Sequence, residues 1–127
     1  MARAVDTNVL VRALVDADDR QSIRATKTMA EGAWVSHVVL HELVWVAVRS
    51  YSHDHEDVVR LLEMMLLHEQ IVLEEPLVVR AALDRFRQTP RLGFNDCLVL
   101  EVARARGKLP LMTFDRDLAK QDGAELA

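Results

Sequence analysis

The sequence is poor in the features that most quickly classify a chain. Cys97 is its single cysteine, so no intrachain disulfide can form, and a reducing cytoplasm is the expected setting. It also lacks an excess of basic residues. Sixteen Lys and Arg stand against 20 Asp and Glu, a net charge of −4 that argues against a general polyanion-binding surface. Nucleic acid remains open as a partner, because a local basic rim or a bound cation can supply the positive charge. There is no linker, no low-complexity tract and no repeat of solenoid period. Long hydrophobic runs are missing too. The richest, Val38–Val48 and Val58–Leu67, are broken by His41, Glu42, Arg60 and Glu63 and are too short to span a bilayer, so no membrane association is expected. The opening MARAVD has no long apolar core of the signal-peptide kind.

What the chain does have is enough apolar material for a core. Half of its 127 residues are hydrophobic, and the length predicts one domain, residues 1–127. A chain of this size buries roughly two-thirds of its unfolded surface.

The hydrophobic pattern predicts alternating strands and helices. Strands are expected over Arg3–Asp6, Trp34–Val38, Ile71–Leu73, Leu109–Phe114 and Ala124–Leu126. Helices are expected over Val9–Val15, Asp18–Ala30, Val39–Ser50, Asp54–His68, Glu75–Gln88, Phe94–Arg106 and Arg116–Gln121. The alternation implies an α/β fold, a central parallel sheet of four or five short strands with helices on both faces. The functional crevice of such a sheet lies at the carboxyl ends of its strands.

Asp6 and Asp115 fall at such ends. Each sits between a strand and a helix, so each reads equally as a helix N-cap or as a site acid. Glu42 lies in VVLHELVWVAV, and at helical spacing it shares a face with Val38, Val39, Trp45 and Val46. A carboxylate on an apolar face is seldom buried unless it is paired or bound to metal, which favours a functional role. Asp96 heads the stripe Asp96, Val99, Leu100 and Ala103, with Glu101, Arg104 and Lys108 on another side. A dipole-stabilised first-turn acid, with Asn95 as cap, is the competing explanation there. Should these acids converge, a carboxylate pair about 4 Å apart repels by roughly 4 kcal/mol at an effective dielectric near 20, and a divalent cation removes the conflict. All-oxygen ligands suit Mg²⁺ or Mn²⁺.

The stretches AVDTNVLV, a Glu within an apolar helix, NDCLVLEVAR and LMTFDRDL resemble the PIN-domain ribonucleases, most closely the VapC-type toxins of bacterial toxin–antitoxin modules. The resemblance covers nearly the whole chain. It places the family's acidic quartet on Asp6, Glu42, Asp96 and Asp115, with Asn8 and Thr113 as supporting polar groups. It implies a PIN fold and endoribonuclease activity dependent on a divalent cation. It also implies a cognate antitoxin protein that blocks the site, and a homodimer. On this basis Asp6, Asp96 and Asp115 are expected to hold Mg²⁺ or Mn²⁺, and Glu42 to bind metal or orient the attacking water. The candidate rim cations for RNA are Arg12, Arg91, Arg116 and Lys120.

His37 and His41 are four apart, but Trp45 stands where a metalloprotease helix carries its second histidine. His53 and His55 fall in a polar turn. Cys97 reads as a buried structural thiol. Two alternatives compete: a phospho-acceptor, receiver-like signalling domain, and a PIN-like RNA-binding module without catalysis.

Overall fold

A computed structural model describes residues 1–16 and 20–127. The chain divides into two compact units, Met1–Pro76 and Leu77–Ala127.

The first unit begins with β1 (Arg3–Ala4) and α1 (Thr7–Leu10), which runs on into a π-helical turn over Val11–Val15. Then come α2 (Arg20–Ala30), β2 (Ala33–Val35), α3 (His37–Tyr51), α4 (His55–Leu67) and β3 (Ile71–Leu73). The three strands form one parallel sheet in the order β1-β2-β3, with Ala4 opposite Trp34 and Trp34 opposite Val72. Period-two alternation buries Ala33, Val35, Ile71 and Leu73 and leaves Trp34 and Val72 on the other face. Helix α3 buries Leu40, Leu43, Val44 and Ala47, the spacing of a single helical stripe.

The connection between α3 and α4 explains the polar run SYSHDHED. Ser52 caps α3 in the left-handed region (φ 56°, ψ 31°), and the His53 N–H reaches back to the Ala47 carbonyl at 3.0 Å. Asp54 then caps α4 in a reciprocal capping box with Asp57. Backbone hydrogen bonding from Asp54, helped by Arg60, holds the Asp57 carboxyl below its usual pKa.

The second unit carries α5 (Pro76–Gln88, starting at the boundary residue), α6 (Phe94–Ala105), β4 (Leu111–Thr113), α7 (Arg116–Ala119) and β5 (Ala124–Leu126). Here β4 and β5 pair in parallel, Leu111 opposite Ala124. Among the described residues five short strands are therefore present, as expected, hydrogen-bonded in parallel within a sheet of three and within a sheet of two. The buried positions include Val79, Ala82, Leu83 and Phe86 of α5 and Phe94, Cys97, Leu98 and Leu100 of α6. The rings of Phe86 and Phe94 meet edge to face at 6.0 Å.

The element boundaries expected from sequence shift by a few residues. The second strand stops at Val35 because Ser36 caps α3, its side chain accepting from the Val39 N–H at 3.1 Å. The helix expected from Asp18 begins at Arg20 within the described residues; Asp18 and Asp19 lie outside them. Gly93, not Asn95, is the N-cap of α6, and Asn95 sits inside its first turn. Among the described residues no helix is long and apolar enough to cross a membrane.

Candidate active site

In the first unit the strand-to-helix turn after β1 presents Asp6. Its backbone is extended (φ −92°, ψ 176°) and Oδ1 accepts from the Val9 N–H at 3.1 Å, so the capping reading of this residue holds. One carboxylate oxygen is committed to the helix and the side chain is exposed. The next residue, Thr7, donates its hydroxyl hydrogen bond to Oε1 of Glu42, which α3 carries to the same place. Asp6, Thr7, Asn8 and Glu42 line one open cleft of about 450 Å³. Arg12 and Tyr51 also reach its wall, and both are tied to Asp16: the guanidinium lies 3.4 Å from Oδ2, and the tyrosine hydroxyl donates to Oδ2 at 3.0 Å. The site therefore has a cation at its edge whose position is set by a partner outside the pair of candidate acids.

Glu42 shares its face with Val38 and Trp45, as the spacing predicts, but that face is outward. The buried stripe of α3 is Leu40, Leu43, Val44 and Ala47, while Val38 is 78% and Trp45 52% exposed. The expectation of a carboxylate on a buried apolar face is thus corrected. Apolar residues surround α3 almost completely, so composition alone did not reveal which side faces inward.

In the second unit Asp96 occupies the first turn of α6, half-buried. The stripe assigned to it from spacing is only partly internal. Leu100 is buried but Val99 is exposed, because the inward face is centred on Cys97, Leu98 and Glu101. Asp115 ends β4 and caps α7, its Oδ1 accepting from the Leu118 N–H at 2.9 Å. The Thr113 hydroxyl oxygen accepts the Asp115 N–H at 3.0 Å. Thr113 thereby fixes the backbone from which the last acid projects.

The residue that sequence reasoning missed is Glu101. The spacing puts it on another side of the helix from the Asp96 stripe, and it is only 7% exposed. It sits between Arg85 and Arg104, each 3.3 Å away. Arg85 also donates to Gln121 Oε1 at 2.9 Å, and Arg104 to the Asp122 carbonyl at 2.6 Å, so the buried charge is compensated and tied to the chain end. The available signal was Arg104 three residues on in the same helix; periodicity could not connect Arg85, in α5, to a glutamate in α6. Beside this cluster, burial pushes the Cys97 thiol up to about 11, outweighing the nearby Arg85 charge.

His37 is accounted for structurally. Its Nε2–H donates to the Glu74 carbonyl at 2.9 Å, and its backbone N–H to Glu74 Oε1 at 2.8 Å. Among the described residues, no group of three or more His, Cys, Asp or Glu could by itself hold a metal ion. The first-unit cleft supplies two carboxylates, Asp6 and Glu42.

Parallel strands with acids where they pass into helices define an α/β protein with acidic strand ends. The comparison with known families makes this specific: residues 3–124 match the PIN domain, and the chain belongs to that family. PIN domains are typically metal-dependent nucleases. No curated protein matches the chain.

Proposed function

We propose that this PIN domain, residues 1–127, is an endoribonuclease of the VapC type, the toxin of a toxin–antitoxin pair, acting in the cytoplasm. The observation that carries the reading is the cleft in which Asp6 and Glu42 each have one oxygen held by a neighbouring donor, Val9 N–H and the Thr7 hydroxyl respectively. Carboxylates fixed in this way keep a second oxygen for a ligand without a further loss of side-chain freedom. The donor chemistry is all oxygen, which fits Mg²⁺ or Mn²⁺.

In this reading Asp6, Asp96 and Asp115 hold the cation, and Glu42 orients the attacking water. Bound there, the cation supplies a lowered water pKa and neutralises charge on the scissile phosphate. Thr113 holds the backbone of Asp115, Thr7 holds Glu42, and Asn8 borders the cleft at the start of α1. Arg12 lends positive charge at the rim, with Arg91, Arg116 and Lys120 as further candidates. A cognate antitoxin that covers these acids and a homodimeric state belong to the same proposal. Family membership sets the receiver-like alternative aside and leaves an inactive PIN-like RNA binder as the rival.

The test is incubation of pure protein with structured RNAs and Mg²⁺ or Mn²⁺. Internal cleavage should appear with metal, vanish with chelator, and be absent in Asp96→Asn. Cleavage that persists at wild-type rate in chelator or in that variant rejects the assignment.

A further inference from the structure

The outward side of α3 carries more than Glu42. Trp45, half exposed, stands one turn beyond His41 and two turns beyond Val38, and these residues with Glu42 line a second cleft of about 310 Å³. Arg49, one turn further on, holds its guanidinium 5.3 Å from the centre of the Trp45 ring. Arg49 lies on the C-terminal side of Trp45 in α3, while the other residues that line the cleft, Val38, His41 and Glu42, lie on its N-terminal side.

An indole left half in water is costly surface for a merely decorative role. The largest apolar body on this face lies three residues from a candidate catalytic acid and shares a cleft with it. A flat cationic group is already seated on it. That combination of π-face, adjacent guanidinium and small cleft matches what an unstacked nucleobase requires, since bases stack on aromatic faces and on guanidinium planes, and the attached phosphate gains the positive charge. The alternative occupant, an apolar protein segment, is served less well, because His41 and Glu42 interrupt the stripe between Val38 and Val48 and Arg49 follows it.

We propose that Trp45, steadied by Arg49, is a base-stacking platform that seats one unpaired nucleotide of the substrate beside Glu42 and so selects single-stranded over duplex RNA. This rests on the endoribonuclease reading of the same cleft. Trp45 acts by binding and positioning a base, and takes no part in proton transfer.

The test uses Trp34→Phe, which leaves Trp45 as the only tryptophan. With chelator present, so that nothing is cut, short single-stranded RNA of mixed sequence is titrated against its fluorescence, with duplex RNA in parallel. Saturable quenching by the single strand and weak quenching by the duplex are expected, and anisotropy of end-labelled single-stranded RNA should show about tenfold weaker binding by Trp45→Leu with retention in Trp45→Phe. With metal, Trp45→Leu should raise KM while leaving kcat close to wild type. Equal RNA binding and cleavage by Trp45→Leu and wild type overturns the platform and leaves the nuclease reading intact. Loss of binding together with a change in sedimenting mass of Trp45→Leu overturns it in favour of an interface between copies. Absence of any RNA binding or cleavage by the wild type overturns both.

Discussion

The Thr7 hydroxyl is bonded to Oε1 of Glu42, joining the residue after the first-strand acid to the middle of α3. The contact bridges 35 positions of sequence and sets the orientation of one carboxylate by a neighbour of the other. Thr7→Val should therefore leave folding nearly unchanged but reduce ribonuclease turnover about tenfold, through loss of orientation. Thr7→Ser should retain most activity. Single-turnover rates at saturating metal check both.

Asp6 and Asp115 each cap a helix, and the proposal gives each a second role as a metal ligand; the two roles separate by substitution. Asparagine caps about as well as aspartate but carries no charge. Asp6→Asn and Asp115→Asn should melt within a degree or two of wild type on the scale of a small ΔΔG, yet lose metal-stimulated cleavage and metal-induced stabilisation. Asp6→Ala should lose in addition about 1 kcal/mol of stability. Thermal melts with and without Mn²⁺ distinguish these outcomes.

Glu101 predicts a stability defect unrelated to activity. Arg85→Ala removes one of its two cationic partners and strands part of a buried charge, at a cost of about 3 kcal/mol. Replacing Glu101 and Arg85 together by Gln and Met should cost less than Arg85→Ala alone. Urea unfolding of the three variants measures the difference.

The capping box of α4 predicts an acid-side signature. The Asp57 pKa is depressed in the folded protein below its ordinary value of 3.8. A depressed carboxylate stabilises the fold above the unfolded pKa, and that contribution disappears as pH falls through the folded value. The stability gap between wild type and Asp57→Asn should accordingly be full at neutral pH and shrink below about pH 4, measured by denaturant midpoints across pH.

Cys97 gives a chemical readout of the same core. With the thiol raised to about 11 by burial, the native protein should resist iodoacetamide at pH 8 and react at once when unfolded. Rapid native alkylation would mean the α6 face opens readily.

Sequence revealed much of this architecture because strand and helix periods are local. Ile71–Leu73, Ala124–Leu126 and the start of α6 at Phe94 fall where the pattern puts them. Helix facing was less legible. On α3 apolar side chains occupy nearly every direction, so the pattern could not show that Glu42 and Trp45 point outward. On α6 the inward position of Glu101 depends on Arg85 in a different helix, a tertiary fact with no local trace. The site residues themselves were suggested by punctuation, acids where strand gives way to helix. That cue predicts a cap and a catalytic group equally, and Asp6 and Asp115 are caps whatever else they do.

Helix α3 is clasped at both tips, by the Ser36 side chain at its start and by the left-handed Ser52 turn that leads directly into the Asp54 capping box. Helices ordinarily fray inward from loose ends. This one offers fraying no easy point of attack, so the carboxylate at its middle keeps its aim until the unit melts as a whole, and thermal inactivation should track global unfolding instead of preceding it.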